Sequence, residues 1–149
     1  MHDCRKLFTK RIKDVNCKKK YMKKKVILTK KAPLPIGPYN QAIQVDNLLF
    51  ISGQIPLNPK NGKLISSGIK KETNKVMNNI QNILEEAKMN FNNVVKTTIF
   101  LKDMNDFVEV NTEYAKFFEN CIPPARETVQ VSQLPKNVNI EISCIAIKD

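Results

Sequence analysis

The sequence predicts an α+β domain in which two helices pack against one face of a mixed sheet of about six strands. Short stretches of alternating apolar and polar residues are typical of strands, and two longer stretches repeat apolar residues every three to four positions, as amphipathic helices do. The predicted order is strand, hairpin, helix, strand, helix, strand, strand. The face of the sheet without helices needs cover, which copies of the chain would provide in a closed oligomer.

The first half of the domain begins with three predicted strands. A short strand at residues 26–28 precedes a proline-rich loop. A hairpin then pairs residues 42–45 with residues 48–52, because the Asp46-Asn47 turn tolerates positive φ. Gly53 follows the hairpin and permits close approach of the backbone to another chain or to a ligand, although a β-bulge or a plain strand end fits this glycine equally well.

Two segments carry helical periodicity, and a strand rich in β-branched residues, Val94–Leu101, separates them. Residues 69–89 are predicted to form an amphipathic helix of about six turns. Its apolar stripe comprises Ile69, Thr73, Val76, Ile80, Ile83, Leu84 and Ala87. The second helix follows capping candidates at Asp103 and Asn105, and Asn111 lies at the edge of its stripe. The predicted buried residues of this helix are Phe107, Val110, Tyr114 and Phe117.

The last two strands carry the pair of ionisable residues on which the functional interpretation depends. Arg126 lies on the polar face of strand 125–132, and Glu141 lies on the polar face of strand 138–147. A hairpin centred near Gln133 would place Arg126 opposite Glu141, although the sequence leaves the register open. A cross-strand pair of this kind is by itself more often a structural ion pair than a site.

The alternative interpretation of this pair is chemical. The planar guanidinium of Arg126 could bind the carboxylate of a small organic acid through two parallel hydrogen bonds. Glu141, a few ångströms away, could then accept a proton from water.

The net charge of the 149-residue chain is +11, and most of it lies at the amino-terminal end. Residues 1–25 contain eleven Lys or Arg against Asp3 and Asp14, a net of +9, so the remaining 124 residues carry only +2. We interpret residues 1–25 as a basic extension and residues 26–149 as a single domain, because that length suits one core.

The extension has three interpretations. It could be a solvated, disordered tail, a contact for nucleic acid or another anionic surface, or an organellar transit peptide. The segment is rich in lysine, contains two Asp and has one hydroxyl residue, Thr9, which weighs against import. The expected compartment is therefore the cytoplasm, with an organelle as the alternative.

Composition excludes several kinds of site. His2 is the only histidine and lies in the extension, so the domain contains neither a His dyad nor a His-ligated zinc. Cys4, Cys17, Cys121 and Cys144 form no CxxC pair, so we predict no metal site, no disulfide framework and a reducing compartment. No apolar run approaches the roughly twenty residues that span a bilayer.

Four separated segments resemble one known family. They are GPYNQA from Gly37, LLFISGQIPLNP from Leu48, VVKTTIFLKDMNDFVEVN from Val94, and PPAR through LPKNVNIEISCIAI near the carboxyl end. In this order they resemble the Rid family, the reactive intermediate deaminases that are also called YjgF or L-PSP proteins. The resemblance covers residues 26–149.

The resemblance implies a homotrimer of chorismate-mutase-like (bacillus-type) α+β subunits with clefts between adjacent subunits. It also implies a hydrolase without metal or cofactor that converts imino or enamine acids, such as 2-iminobutanoate and 2-iminopropanoate, to 2-keto acids and ammonia. Arg126 matches the arginine that binds the substrate carboxylate, and Glu141 matches the glutamate that positions the attacking water. Further residues that match the family's cleft are Tyr39, Ser52, Gly53, Phe107 and Asn111.

Two positions depart from the family pattern. Thr128 stands where some members have cysteine, so any role of a thiol is lost while the backbone remains available to a substrate. Glu127 replaces the small residue that usually follows the arginine, and strand alternation should point it away from Arg126. We expect modest consequences from Glu127.

Two other functions compete with the deaminase. The first is an RNA-binding endoribonuclease or translation inhibitor, a role attached to some relatives. The basic extension favours this role, whereas the domain's low net charge and lack of histidine oppose RNA cleavage, so nucleic acid is expected to bind only through residues 1–25. The second is a non-enzymatic module that holds a carboxylate metabolite in the same cleft.

Overall fold

Six strands form one mixed sheet in the computed structural model, which describes residues 23–148. All of the predicted extension except residues 23–25 lies outside the described residues. The strands are β1 (Lys24–Ile27), β2 (Ala42–Val45), β3 (Leu48–Gln54), β4 (Val94–Leu101), β5 (Ala125–Gln130) and β6 (Ile140–Ile147), and the helices are α1 (Ile69–Glu86) and α2 (Phe107–Ala115). The strand order across the sheet is β1-β2-β3-β6-β4-β5, and every neighbouring pair is antiparallel except β4 and β5. The predicted six-stranded α+β class is confirmed.

The predicted hairpin is present, with the expected turn. Val45 pairs with Leu48 across β2 and β3, and Asp46 has a φ of 52°, the positive value that favours Asp or Asn at this position. Strand β1 begins at Lys24, two residues earlier than the predicted strand, and pairs with β2. The last lysines of the basic segment therefore belong to the sheet.

Helix α1 buries its predicted stripe completely. All seven residues of that stripe are buried, and α1 packs against β3, β6 and α2. The buried hydroxyl of Thr73 has a hydrogen-bond partner within the helix, because it donates to the carbonyl of Ile69 at 2.8 Å. The helix ends at Glu86, three residues before the predicted end.

The predicted stripe of α2 is partly wrong. Val110 and Tyr114 are buried as expected, but Phe107 remains 36% exposed and Phe117 is only partly buried. Phe118 replaces Phe117 in the core because the chain tightens into a 3-10 turn, Lys116–Phe118, which shifts the inward-facing position by one residue.

The predicted hairpin between the last two strands is also wrong. Strand β5 pairs in parallel with β4, and β4 lies between β5 and β6. Two parallel neighbouring strands require a crossover connection between them. Helix α2 forms this crossover, because it follows β4 and packs its apolar side on the sheet before the chain enters β5. Arg126 therefore pairs with Thr97, and Glu141 pairs with Phe100.

The two faces of the sheet differ in cover. On the helix face, β3, β4 and β6 contribute buried residues to the core, among them Leu49, Ile99 and Ile142. We call the opposite side the open face, because no helix within residues 23–148 covers it. Val26 and Phe50 lie on the open face and are 51% and 43% exposed.

Candidate active site

The eight predicted site residues form two groups. The first group lines one cavity and comprises Tyr39, Ser52, Gly53 and Glu141. The second group lies around Arg126, on the other side of the sheet, and comprises Phe107, Asn111, Arg126 and Thr128. Arg126 reaches α2 on the helix face, whereas Glu141 alternates with the buried Ile140 and Ile142 and so points to the open face. The two groups are thus separated by the sheet within one chain.

Glu141 occupies a cavity of about 370 Å³ with mainly apolar walls. Ile36 and Ile55 contribute to these walls, together with Tyr39, and Lys136 supplies a basic side chain. Burial raises the pKa of the Glu141 carboxyl above its ordinary value. A carboxylate with a raised pKa in a small cleft is a better proton acceptor than an ordinary surface glutamate.

Gly53 provides the space that the Glu141 carboxyl occupies. A β-carbon placed on Gly53 would lie 1.7 Å from Glu141 Oε1 and 2.6 Å from Cδ. The ladder between β3 and β6 is irregular between Ile51 and Gln54, so the backbone of Gly53 bulges beside β6. The bulge expected as one alternative for Gly53 is therefore present, and the group that lies against its backbone is the Glu141 side chain of the same chain.

The loop that carries Tyr39 is held in place by a buried glutamine. Gln41 accepts a hydrogen bond from the Thr29 amide and donates to the carbonyls of Thr29, Ala32 and Pro33, with distances of 2.7–3.1 Å. Ser52 is fixed by the same loop, because its hydroxyl donates to the Asn40 carbonyl at 2.7 Å. The cavity wall is therefore built before any ligand arrives.

Arg126 is held by side chains of α2. Its Nη1 donates to Asn111 Oδ1 at 2.8 Å, and its guanidinium carbon lies 5.0 Å from the ring centroid of Tyr114 and 5.8 Å from that of Phe107. Within residues 23–148, Arg126 forms no salt bridge. A guanidinium has five N–H donors, so most of its fork is available to a planar anion.

Thr128 and Glu127 follow Arg126 on opposite sides of β5. The Thr128 hydroxyl is buried and has no hydrogen-bond partner among residues 23–148. Glu127 points away from Arg126, as expected, and binds Lys96 and the hydroxyl of Thr98 on the open face. These two contacts hold the pKa of the Glu127 carboxyl below its ordinary value.

Other reactive groups are scarce in the part of the chain that the structure describes. No cluster of His, Cys, Asp and Glu there could hold a metal ion. Cys144 is buried, and burial raises the pKa of its thiol to about 12, so this cysteine is a poor nucleophile. Between residues 23 and 148, no helix is both long and apolar enough to cross a membrane.

Sequence reasoning missed five residues around these two groups. Four of them come from loops, turns or strand ends that carry no periodic signal, and they line the Glu141 cavity: Ile36, Ile55, Pro135 and Lys136. Tyr114 was assigned to the core, which is correct for its burial but omits its contact with Arg126. Its place three residues after Asn111 on a helix was the available signal, because residues at that spacing share a face.

Comparison with protein families gives one match across most of the chain. Residues 29–148 match the family model described as Endoribonuclease L-PSP. A RutC family protein of Pyrococcus abyssi is 51% identical over 128 residues, which cover 86% of this chain and all of that relative. The 2-iminobutanoate/2-iminopropanoate deaminase of Mus musculus is 47% identical over 125 residues, which cover 84% of this chain and 92% of that enzyme.

Solved structures give the same result for the fold. A protein of the Rid family from Yersinia pestis, YyfA, is 47% identical with a TM-score of 0.83, and the match covers 85% of this chain and all of that protein. The structure of E. coli TdcF with bound serine has a TM-score of 0.81 at 35% identity, covering 84% of this chain and 99% of TdcF.

Proposed function

Because the chain belongs to the Endoribonuclease L-PSP family, which the Rid resemblance anticipated, we propose that it hydrolyses 2-imino and enamine acids to 2-keto acids and ammonia. The mouse relative at 47% identity is named for this activity with 2-iminobutanoate and 2-iminopropanoate. One structural observation carries the proposal. Arg126 has no carboxylate partner among residues 23–148, and Glu141 provides, in a separate cavity, a carboxyl whose pKa is raised by burial.

In this proposal, Arg126 binds the carboxylate that every 2-imino acid carries. Asn111 binds one N–H group of the guanidinium, which leaves the other N–H groups available in the planar arrangement that a carboxylate accepts. The TdcF structure contains bound serine, itself a small carboxylate compound. Binding energy from this end of the substrate holds the imine carbon in a fixed place.

Glu141 then acts on water. The carbon of a protonated imine is already electrophilic, so the reaction needs a positioned water and a base rather than an activated nucleophile. Glu141 accepts a proton from water while the oxygen bonds to the imine carbon. Glu141 then returns this proton to the nitrogen of the tetrahedral intermediate. The carbon–nitrogen bond breaks as the hydroxyl oxygen becomes the carbonyl and gives its proton to the departing ammonia, so the iminium and one water become a 2-keto acid and ammonium. This balance requires no redox cofactor.

A second copy of the chain supplies the other half of each site in this proposal. Arg126 and Glu141 lie on opposite faces of one sheet, so neither can reach a substrate held by the other within one chain. The open face also carries apolar side chains, including Val26 and Phe50, that a neighbouring copy would cover. A closed homotrimer with a cleft between adjacent subunits satisfies both requirements.

The test is release of ammonia and keto acid from an imine generated in the assay by an amino-acid oxidase or a threonine dehydratase. We expect the wild-type chain to accelerate release and Arg126→Ala to lose the acceleration while remaining folded and assembled. Full turnover by Arg126→Ala would overturn the assignment. If wild type binds a 2-keto acid but does not accelerate release, the cleft belongs to a non-enzymatic binding module instead.

A specific observation favours a second, polyanion-binding function. Five lysines, Lys23, Lys24, Lys25, Lys88 and Lys148, line a cavity of about 570 Å³ with only Asp46 and Glu86 opposing them. This cavity adjoins the segment that continues into the basic extension. RNA would thus contact the folded domain as well as the extension, in contrast to the expectation that the extension alone binds it.

The salt dependence of RNA binding separates the contribution of the lysine cavity from that of the basic extension. In the full chain, replacement of Lys88 and Lys148 by serine should reduce the slope of log affinity for single-stranded RNA against log salt by about 1.4 units, at unchanged deamination. Replacement of Lys60 and Lys63, which lie outside this cavity, is the charge-matched control. Equal slopes for the two double variants would exclude the lysine cavity as an RNA contact.

The cytoplasmic location stays a prediction, because the extension on which the organelle alternative depends lies outside the described residues.

A further inference from the structure

Tyr114 makes the shortest aromatic contact with Arg126. Its ring centroid lies 5.0 Å from the guanidinium carbon, compared with 5.8 Å for Phe107. Tyr114 is 4% exposed and Arg126 is partly buried, so the ring side of this contact is shielded from water, which strengthens the attraction between a cation and an aromatic face. This contact therefore restrains Arg126 more than a contact between an exposed arginine and an exposed ring would.

The Tyr114 hydroxyl connects back to the strand beside Arg126. It shares a buried hydrogen bond of 2.8 Å with the hydroxyl of Thr97, and Thr97 is the residue that pairs with Arg126 between β4 and β5. Each of the three residues therefore contacts the other two: Thr97 pairs with Arg126 through the backbone, Thr97 bonds the Tyr114 hydroxyl, and the Tyr114 ring contacts the Arg126 guanidinium. Burial of the phenol raises the pKa of Tyr114 despite the Thr97 bond and the Arg126 charge, so the hydroxyl stays protonated near neutral pH.

The Tyr114 ring also packs against another aromatic ring. Phe118 lies 4.8 Å away between ring centroids, and Phe91 packs edge-on against Phe118 at 5.2 Å. A phenylalanine at position 114 would fill the same core volume without a hydroxyl to satisfy. A buried hydroxyl costs free energy unless it is bonded, and here its bond goes to the residue that pairs with Arg126.

We propose that Tyr114, anchored by Thr97, is a positioning residue that sets the tilt of the Arg126 guanidinium for a substrate carboxylate. This inference rests on the proposed role of Arg126. Asn111 bonds Nη1 and fixes how far the guanidinium turns within its own plane, while the Tyr114 ring fixes the orientation of that plane. Both restraints are needed because two parallel hydrogen bonds to a carboxylate form only when the fork and the carboxylate are nearly coplanar.

The experiment measures the dissociation constant of 2-oxobutanoate, a 2-keto acid probe, together with kcat and KM for imine hydrolysis. Tyr114→Leu removes the ring contact and should weaken 2-oxobutanoate binding about tenfold, with the loss appearing mainly in KM. Tyr114→Phe keeps the ring and removes the hydroxyl, so a smaller loss of about threefold is expected, and Thr97→Val should match it. Phe117→Leu is the control, since Phe117 packs on Phe91 at the far side of the same aromatic cluster.

Combined variants separate positioning from general destabilisation. In an Arg126→Ala background, Tyr114→Leu should cause no further loss of binding, because its effect acts through the guanidinium. Tyr114→Phe and Thr97→Val together should cost no more than either alone, because they remove the same hydrogen bond. Thermal unfolding of each variant shows whether it is folded, and Tyr114→Phe keeps the test usable if Tyr114→Leu does not fold.

The outcomes of the two proposals are distinct. If Arg126→Ala leaves 2-oxobutanoate binding unchanged, the proposed carboxylate site is wrong. If Arg126→Ala strongly weakens 2-oxobutanoate binding to a residual, still measurable affinity but Tyr114→Leu matches Phe117→Leu, only the positioning role is overturned. Additive losses of Tyr114→Leu and Arg126→Ala would likewise show that Tyr114 acts on the fold and not through Arg126.

Discussion

The Glu141 cavity and the Arg126 group are built by different means. Glu141 is placed by the backbone, because it lies on a strand with neighbours on both sides and its carboxyl fills the space left by Gly53. Arg126 lies on the edge strand β5 and is placed by side chains, chiefly Asn111 and Tyr114 of one helix. Steric contact with the backbone therefore keeps Glu141 in place, whereas the position of Arg126 depends on a few directional side-chain interactions.

The separation of the two groups has a functional consequence. If Arg126 and Glu141 were cross-strand neighbours, they would neutralise each other in an ion pair and neither would be free for substrate. Placement on opposite faces prevents that pairing within one chain. In the proposed trimer, Arg126 and Glu141, neither of which has a salt-bridge partner among residues 23–148, would meet only at a subunit boundary, where a substrate anion could lie between them.

The largest expected effect comes from mixing two inactive variants. Arg126→Ala and Glu141→Gln should each lack deaminase activity, but refolding them together at equal amounts should restore about one quarter of wild-type sites, because random closed assemblies pair an intact Arg126 with an intact Glu141 at that frequency. Imine hydrolysis before and after mixed refolding is the measurement. No recovery in mixed assemblies, with mixing verified by mass spectrometry, would mean that each site draws both residues from one chain.

Glu141→Gln alone should lower kcat by about 10²–10⁴-fold, the usual contribution of a positioned general base. Binding of 2-oxobutanoate should stay nearly unchanged, because the proposed mechanism assigns the carboxylate contact to Arg126 and not to Glu141. In wild type, kcat/KM should fall as pH decreases through the raised pKa of Glu141, since the base must be ionised. A variant that keeps wild-type turnover would remove Glu141 from the mechanism.

Gly53→Ala tests whether the backbone places the carboxyl. The added methyl would overlap Glu141 Oε1, and the end of that side chain can move, so the fold should survive while the carboxyl is displaced. We expect a loss of about 10²-fold in turnover, in line with the cost of misplacing a catalytic group by an ångström. Ser52→Ala, which adds no volume beside Glu141, serves as the comparison and should lose less activity than Gly53→Ala.

The smallest effect concerns stability. Burial raises the folded-state pKa of Glu141 above its unfolded value, so the ionised carboxyl opposes folding at neutral pH and this cost disappears as pH falls through the raised pKa. Glu141→Gln should therefore raise the melting temperature by about 1–3 °C at pH 7.5, and the difference should vanish near pH 4. A variant less stable than wild type at pH 7.5 would show that the Glu141 charge has a stabilising partner in the assembly.

The local sequence pattern was sufficient to predict most of the strands and helices. The hairpin at Asp46 and strand Val94–Leu101 follow from turn chemistry and β-branched composition, and the stripe of α1 follows from period alone. The second helical stripe failed at Phe117, because a 3-10 turn changes the angular spacing between residues and leaves no mark in the sequence. The choice of Arg126 and Glu141 as the ionisable residues of interest also came from sequence.

The sequence by itself determined which segments become strands and helices and that Arg126 and Glu141 lie on the polar faces of the last two strands. Only the tertiary structure decided that β4 separates β5 from β6 and that Arg126 and Glu141 point to opposite faces. The physical reason is that alternation and helical period act over a few neighbouring residues. Strand order instead depends on where α2 buries its apolar side, which is a contact between segments far apart in the chain.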